Sequence, residues 1–233
     1  MLTTWKTTIY GSTLTKFGIK KPEKEYTMTQ SSEQESFWKG NFGNEYTDRN
    51  RGSGWVAANT AFFSKVLACT QEVKSVIELG SNIGLNLMGL RQLLPEAKLS
   101  AVEINEKAAC ELRANLPDID LHLNSILKFQ PNAAWDLVFT KGVLIHIKPD
   151  KLPIVYDIMY RASSRYLLVS EYYNPKPTEV TYRGHTGKLF KRDFAGDMLD
   201  KFSDLYLIDY GFVYHRDANF PQDDLTWFLM EKR

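Results

Sequence analysis

From residue 72 onward, short apolar runs alternate with stretches of helical periodicity, and this alternation constrains the fold more than any other feature of the sequence. Residues 73–79, 98–103, 119–123, 135–140 and 166–171 read as strands. Between them, residues 84–94, 105–116 and 150–163 read as helices, the first two stopped by Pro95 and Pro117. Strands separated by helices of this length pair in parallel through right-handed crossovers, so an α/β chain with a mostly parallel sheet is expected. The last two apolar runs, 205–213 and 225–231, have no helix between them and predict an antiparallel pair at one edge of a seven-stranded sheet.

The segment ahead of this alternation differs. Residues 1–30 are polar, rich in Thr and Lys, and lack periodicity, which suggests a weakly ordered extension with a short hairpin near Gly11. Ser32 followed by Glu35 has the pattern of a capping box, opening a segment that carries Phe37 and Trp38. Residues 41–50 are crowded with Asn, Gly and Asp and read as a loop. Trp55, Ala58, Phe62, Val66 and Cys69 recur at helical spacing and predict a helix over 55–69. The expected organisation is an extension over 1–30, a helical cap over 31–70 and an α/β domain over 71–233.

Composition narrows the function classes. With 43% hydrophobic and 13% aromatic residues the chain can bury a large core, which excludes a disordered protein. The 29 basic against 28 acidic side chains exclude a broadly basic nucleic-acid binder. No apolar run reaches the ~18–20 residues of a membrane span, and the first ten residues lack the apolar middle of a signal peptide. Cys69 and Cys110 stand alone, without metal-ligand spacing, as small hydrophobes of a reducing compartment. A cytoplasmic protein without metal, membrane or nucleic-acid partners is expected.

The chemistry lies in Val76-Ile77-Glu78-Leu79-Gly80-Ser81-Asn82-Ile83-Gly84, where a strand ends in an acid and a Gly-x-x-x-Gly turn opens a helix. The glycines let a ligand approach the main chain, and the turn sits at the carboxyl end of a parallel strand, where open α/β sheets bind ligands. Glu103, 23 positions after Gly80, ends the next strand, close to the ~20-residue offset at which a carboxylate grips ribose hydroxyls. A dinucleotide site wants a middle glycine where this chain has Asn82. Glu78 would repel a pyrophosphate but could anchor an ammonium. An adenosine bearing an amino-acid moiety suits these residues better.

This pattern, followed by an acid after the second strand, resembles the class I S-adenosylmethionine-dependent methyltransferases. More narrowly, residues 37–50, 76–86, 139–147, 171–175, 182–194 and 224–229 resemble the pseudaminic acid biosynthesis-associated methylase family, and the resemblance covers roughly residues 35–233. It implies a Rossmann-like fold, S-adenosyl-L-methionine as cofactor, and methyl transfer to O or N of a small polar acceptor such as a sugar, nonulosonic acid or related metabolite. By the resemblance, Glu78, Gly80, Ser81 and Gly84 line the methionine end, Glu103 the ribose, and Ile104 the adenine. Asn124, Ser125 and Ile126 stand at the adenine edge, although the family often has Asp at position 124. Thr140, Lys141 and Gly142 lie beneath the methionine, and Trp38, Tyr46 and Arg49 close over it. Trp38 reads equally well as a core anchor.

Acceptor chemistry is less sharply marked. His146, His185 and Tyr172 are the candidates for proton transfer, and His146 reads equally as a packed histidine. His122 and His215 read as structural or surface groups. Tyr173, Arg183, Lys188 and Arg192 fall in the 172–204 insertion and suit an anionic or sugar acceptor through guanidinium forks and ring stacking. Lys188, Lys191 and Arg192 read equally as the solvated face of a helix. Two other readings stay open, a nicotinamide-dependent oxidoreductase and a non-catalytic S-adenosylmethionine-binding protein. A base-methylating enzyme is disfavoured, because Thr140-Lys141-Gly142-Val143 stands where its Asn/Asp-Pro-Pro-aromatic tetrad would be.

Overall fold

A computed structural model describes residues 32–233. The expected extension over 1–30 and its hairpin lie outside the described residues. Three helices lead the chain: α1 (Glu33–Lys39), α2 (Asn41–Arg49) and α3 (Ser53–Leu67). There follow β1 (Ser75–Leu79), α4 (Leu85–Leu93), β2 (Lys98–Glu103), α5 (Glu106–Asn115), β3 (Asp120–Leu123), β4 (Trp135–Lys141), α6 (Leu152–Ala162) and β5 (Ser163–Glu171). A hairpin of β6 (Thr178–Tyr182) and β7 (His185–Lys191) precedes α7 (Phe194–Lys201), β8 (Leu205–Val213) and β9 (Leu225–Lys232). No helix among the described residues is long and apolar enough to cross a membrane.

The main sheet has the order β3-β2-β1-β4-β5-β9-β8. β1 to β5 run parallel, and β9 is antiparallel to both β5 and β8, as the missing crossover helix predicts. Period-two alternation divides the strand residues between two cores. Ile77, Val138, Leu167 and Met230 pack with α6 and α7, while Val76, Leu137, Leu168 and Leu229 pack with α3, α4 and α5. The strand order reverses between β1, which pairs with β2, and β4, which pairs with β5. The crevice above that reversal is where such a sheet can take a ligand.

Two local expectations are corrected. Residues 41–50 form helix α2 rather than a loop. Phe42 and Tyr46, one turn apart, meet Trp38 edge to face at 5.4 Å each, and the Thr47 hydroxyl donates to Gly43 O. This contact face outweighs the turn-forming composition of the segment. Lys188, Lys191 and Arg192 do not share a helix face: the first two are on β7, and Arg192 follows it. The capping box, in contrast, is complete, with Glu35 N donating to Ser32 Oγ and Ser32 N to the Glu35 carboxylate.

Gly43 is where α2 crosses the end of α1. A Cβ there would lie 1.8 Å from Trp38 O and 2.8 Å from Asn105 Nδ2. Gly43→Ala is therefore expected to push the two helices apart, at an overpacking cost of about 1–3 kcal/mol. A thermal melt should fall by about 3–10 °C; an unchanged melt would mean that the crossing is slack.

Candidate active site

A cavity of about 510 Å3 opens at the carboxyl ends of β1, β2 and β4. Its floor is the turn after β1. Gly80 has φ +85, a left-handed conformation open to glycine, and a Cβ there would meet Val143 Cγ2 at 2.8 Å. The Asn82 N–H does not face the cavity freely; it donates to Glu103 Oε2 at 2.7 Å. Glu103 Oε1 accepts from Ile104 N and Asn105 N at 2.9 and 2.7 Å. Burial pushes the Glu103 carboxyl up, and the three backbone N–H groups oppose that shift. Three of its roughly four lone-pair sites are used, which leaves one on Oε2.

A buried polar group lies behind the floor. Burial pushes Glu78 up to about 8, although Asn86 Nδ2 donates to its Oε1 at 2.6 Å and Lys141 adds attraction. Lys141 is pushed down to about 8 by burial, against the pull of Glu78, and its Nζ donates to Asn59 Oδ1 at 3.2 Å. Glu78 Oε2 and Asn86 Oδ1 are buried acceptors without a protein donor. Such atoms are costly unless something supplies a proton to them. Asn86 and Lys141 both line the cavity; Glu78 stands behind them.

Across the cavity stands His146, in a 3-10 turn over Leu144–His146 that is held from β5. Glu171, the last residue of β5, accepts from Val143 N and Leu144 N at 3.0 Å and from Ile145 N at 3.4 Å. Burial pushes Glu171 up to about 7, against these three bonds. His146 Nδ1 lies 2.7 Å from Lys188 O. A carbonyl only accepts, so Nδ1 carries the hydrogen and Nε2 keeps its lone pair. Burial lowers the imidazole to about 4, which makes it neutral near pH 7. Its ring packs 4.6 Å from Trp38 and 5.0 Å from Tyr182.

The cavity brings together most of the residues expected there. Trp38, Tyr46, Arg49, Gly80, Ser81 and Glu103 line it, as do Ile104, Asn124, Ser125, Ile126, Lys141 and Gly142. His146, Tyr172 and Arg183 line it as well. Glu78, Gly84 and Thr140 do not; Glu78 and Thr140 are fully buried beneath, and Gly84 caps α4. His185 packs 5.2 Å from Phe37, outside the lining, and Tyr173 is exposed beside Phe228. Lys188 is buried with its Nζ 2.6 Å from Glu33, and Arg192 pairs with Asp197 at 2.7 Å. Neither lines the cavity.

Sequence reasoning missed Glu171, Tyr182 and Asp223. Glu171 had a readable signal, an acid closing an apolar strand, the same one that marks Glu78 and Glu103. Asp223 had none. Burial, the neighbouring Tyr182 and Asp223 hold the Tyr46 hydroxyl well above the usual tyrosine range, and burial with Asp223 does the same for Tyr172.

No protein-family model and no curated protein matches the chain. Solved structures do. An S-adenosylmethionine-bound amino pentose methyltransferase from Micromonospora echinaspora is 11% identical, with a TM-score of 0.59 over 82% of this chain and 96% of that one. An N-methyltransferase from Bradyrhizobium japonicum is 13% identical, with a TM-score of 0.59 over 77% and 97%. The magnesium protoporphyrin IX methyltransferase from Synechocystis is 13% identical, with a TM-score of 0.61 over 85% and 97%. The parallel sheet, its antiparallel edge pair and these likenesses agree: the chain has the class I S-adenosylmethionine-dependent methyltransferase fold.

Proposed function

We propose that this chain is a cytoplasmic enzyme that transfers the methyl group of S-adenosylmethionine to O or N of a small polar acceptor. The observation that carries this reading is one cavity holding both the Gly80 turn with Glu103 and, opposite, a neutral histidine with a free Nε2. The residues fit the cofactor. Asn86 lines the cavity, and its Oδ1, like Glu78 Oε2 behind it, lacks a donor; this is an electronegative end that suits an ammonium group. Gly80 leaves open the space that a Cβ would take. The Asn82 N–H, which stands where a dinucleotide site has its middle glycine, is committed to Glu103 and is not offered to a pyrophosphate.

When bound, S-adenosylmethionine supplies an electrophilic methyl group on a sulfonium. The chain's own residues do the rest. Glu103 Oε2 offers its remaining lone pair to a ribose hydroxyl. Asn124 Oδ1 already accepts from Ser125 N at 2.8 Å, so its NH2 is left to donate to a ring nitrogen of adenine. This is how Asn serves where an Asp would accept. Trp38, Tyr46 and Arg49 wall the cavity from α1 and α2, and we read residues 31–70 as a cap on the 71–233 domain. His146 Nε2 takes the proton that the acceptor O–H or N–H gives up and releases it to water. Glu171 positions the turn that carries His146. Alignment and exclusion of water supply most of the rate, and a general base adds about 10²–10⁴-fold. The narrower resemblance to pseudaminic acid biosynthesis-associated methylases puts nonulosonic acids and nucleotide sugars first among acceptors to try.

Calorimetry with S-adenosylmethionine, S-adenosylhomocysteine and NAD tests the cofactor. Binding of the first two and not of NAD is expected, and Gly80→Arg should remove it. If the wild-type chain binds neither adenosyl compound, the reading fails.

A further inference from the structure

The charges at the acceptor end of the cavity are unusual in being left over. Lys188 and Arg192 are committed to Glu33 and Asp197, and Arg49 to Glu45 at 3.5 Å. Lys141 Nζ donates to Asn59 and feels the charges of Glu78, Asp223 and Glu171. Arg183 also lines the cavity, yet among the described residues it has no carboxylate within 4.0 Å, and its one ring contact is Tyr182 at 5.9 Å. Asp223 lines the same cavity; among the described residues no cation lies within 4.0 Å of it, the Tyr172 hydroxyl donates to it, and Lys141 feels its charge from farther off. A cation and an anion that share a cavity wall without pairing to each other are placed for a ligand that carries both charges.

Backbone geometry supports this reading independently. Tyr182 pairs with His185, so Arg183 and Gly184 are the whole connection between β6 and β7. Both have positive φ, +49 and +83. Such two-residue turns favour Asn, Asp or Gly at the first position, because a longer side chain is strained there. The turn keeps an arginine at that cost. Tyr46, Tyr172 and Tyr182 line the same cavity and add ring faces and hydroxyls suited to a polyol.

We propose that the acceptor is an amino sugar acid, bound with its ammonium group on Asp223 and its carboxylate on Arg183. This rests on the methyl-transfer reading only for which end of the cavity the acceptor occupies. The test is calorimetry on the S-adenosylhomocysteine-saturated chain with three probes: muramic acid, which carries both charges, N-acetylmuramic acid, which carries the anion alone, and glucosamine, which carries the cation alone. Muramic acid should bind at least tenfold more tightly than either of the others. Asp223→Asn should bring it to the level of N-acetylmuramic acid, and Arg183→Gln to that of glucosamine. Both side chains are exposed, so both variants should keep S-adenosylhomocysteine affinity within twofold. Equal binding of the three probes, binding of none, or variants that weaken S-adenosylhomocysteine itself would overturn the proposal, the last by giving these charges to the cofactor. If the wild type fails to bind S-adenosylhomocysteine, the proposed function falls, and the same titration without it still decides the zwitterion.

Discussion

Glu103→Ala is expected to lose S-adenosylhomocysteine binding and to melt on the order of 10 °C below the wild type. The carboxylate satisfies three N–H groups, a buried one at Asn105 and half-buried ones at Asn82 and Ile104. Removing it leaves all three unpaired, at a cost on the order of 3–5 kcal/mol. Those N–H groups belong to the turn after β1 and to the segment leading into α5, so the cavity floor at Gly80 and its wall at Ile104 loosen together. Glu103→Gln separates ligand from scaffold. Its amide oxygen can still serve Ile104 and Asn105, but its NH2 would face the Asn82 N–H, donor against donor. A milder loss of stability is expected, with affinity for S-adenosylhomocysteine down by about ten- to a hundredfold, as for one charge-assisted bond. If Gln binds as tightly as Glu, the carboxylate is a scaffold only and the ribose lies elsewhere.

His146→Asn should leave the fold and cofactor affinity intact and lower turnover by about 10²–10⁴-fold. Asn Nδ2 can replace the histidine Nδ1–H that donates to Lys188 O, so the anchoring bond survives while the Nε2 lone pair is gone. Stability against pH gives a second readout. His146 titrates near 4 when folded, against about 6.5 when unfolded. Above pH 6.5 the ring is neutral in both states and carries no penalty. As pH falls from 6.5 through 4 the unfolded chain binds a proton that the folded one refuses. The folded state thus loses up to about 3 kcal/mol. Glu78 and Glu171, with raised values of about 8 and 7, act oppositely, their stability being present at low pH and lost as pH rises through those values. The wild-type profile therefore mixes these slopes, and subtraction of the Asn variant isolates the histidine. Turnover unchanged in the variant would make His146 a packed residue.

How much of this was readable follows from how local each feature is. The strands of the sheet were legible because each is an apolar run, two of them closing on an acid and β1 carrying one a residue before its end. Their edges were less so: β5 begins at Ser163 rather than residue 166, because Ser163, Ser164 and Arg165 are polar residues drawn into the sheet beside β4. The cofactor floor was legible because Gly80 to Gly84 is a single turn. Tyr46 and Tyr172 were legible too, but Tyr182 and Asp223 were not, since they come from separate segments and meet the other two only in the folded chain. Arg183 was found by its charge. Lys188 carries the same charge and is spent on Glu33, a difference that composition cannot express.

Helix α1 is short, yet it touches both halves of the site. Glu33 and Gln34 hold β7 through Lys188 and Gly187 O, and Gln34 Oε1 accepts from Lys148 N beyond the histidine turn. At its other end, the carbonyl of Trp38 accepts from Asn105, beside the adenine wall. On the proposed assignment of the two ends, neither can therefore widen without straining the other. A lesion in this helix should raise KM for cofactor and acceptor together, a kinetic signature that substitutions on either wall alone would not give.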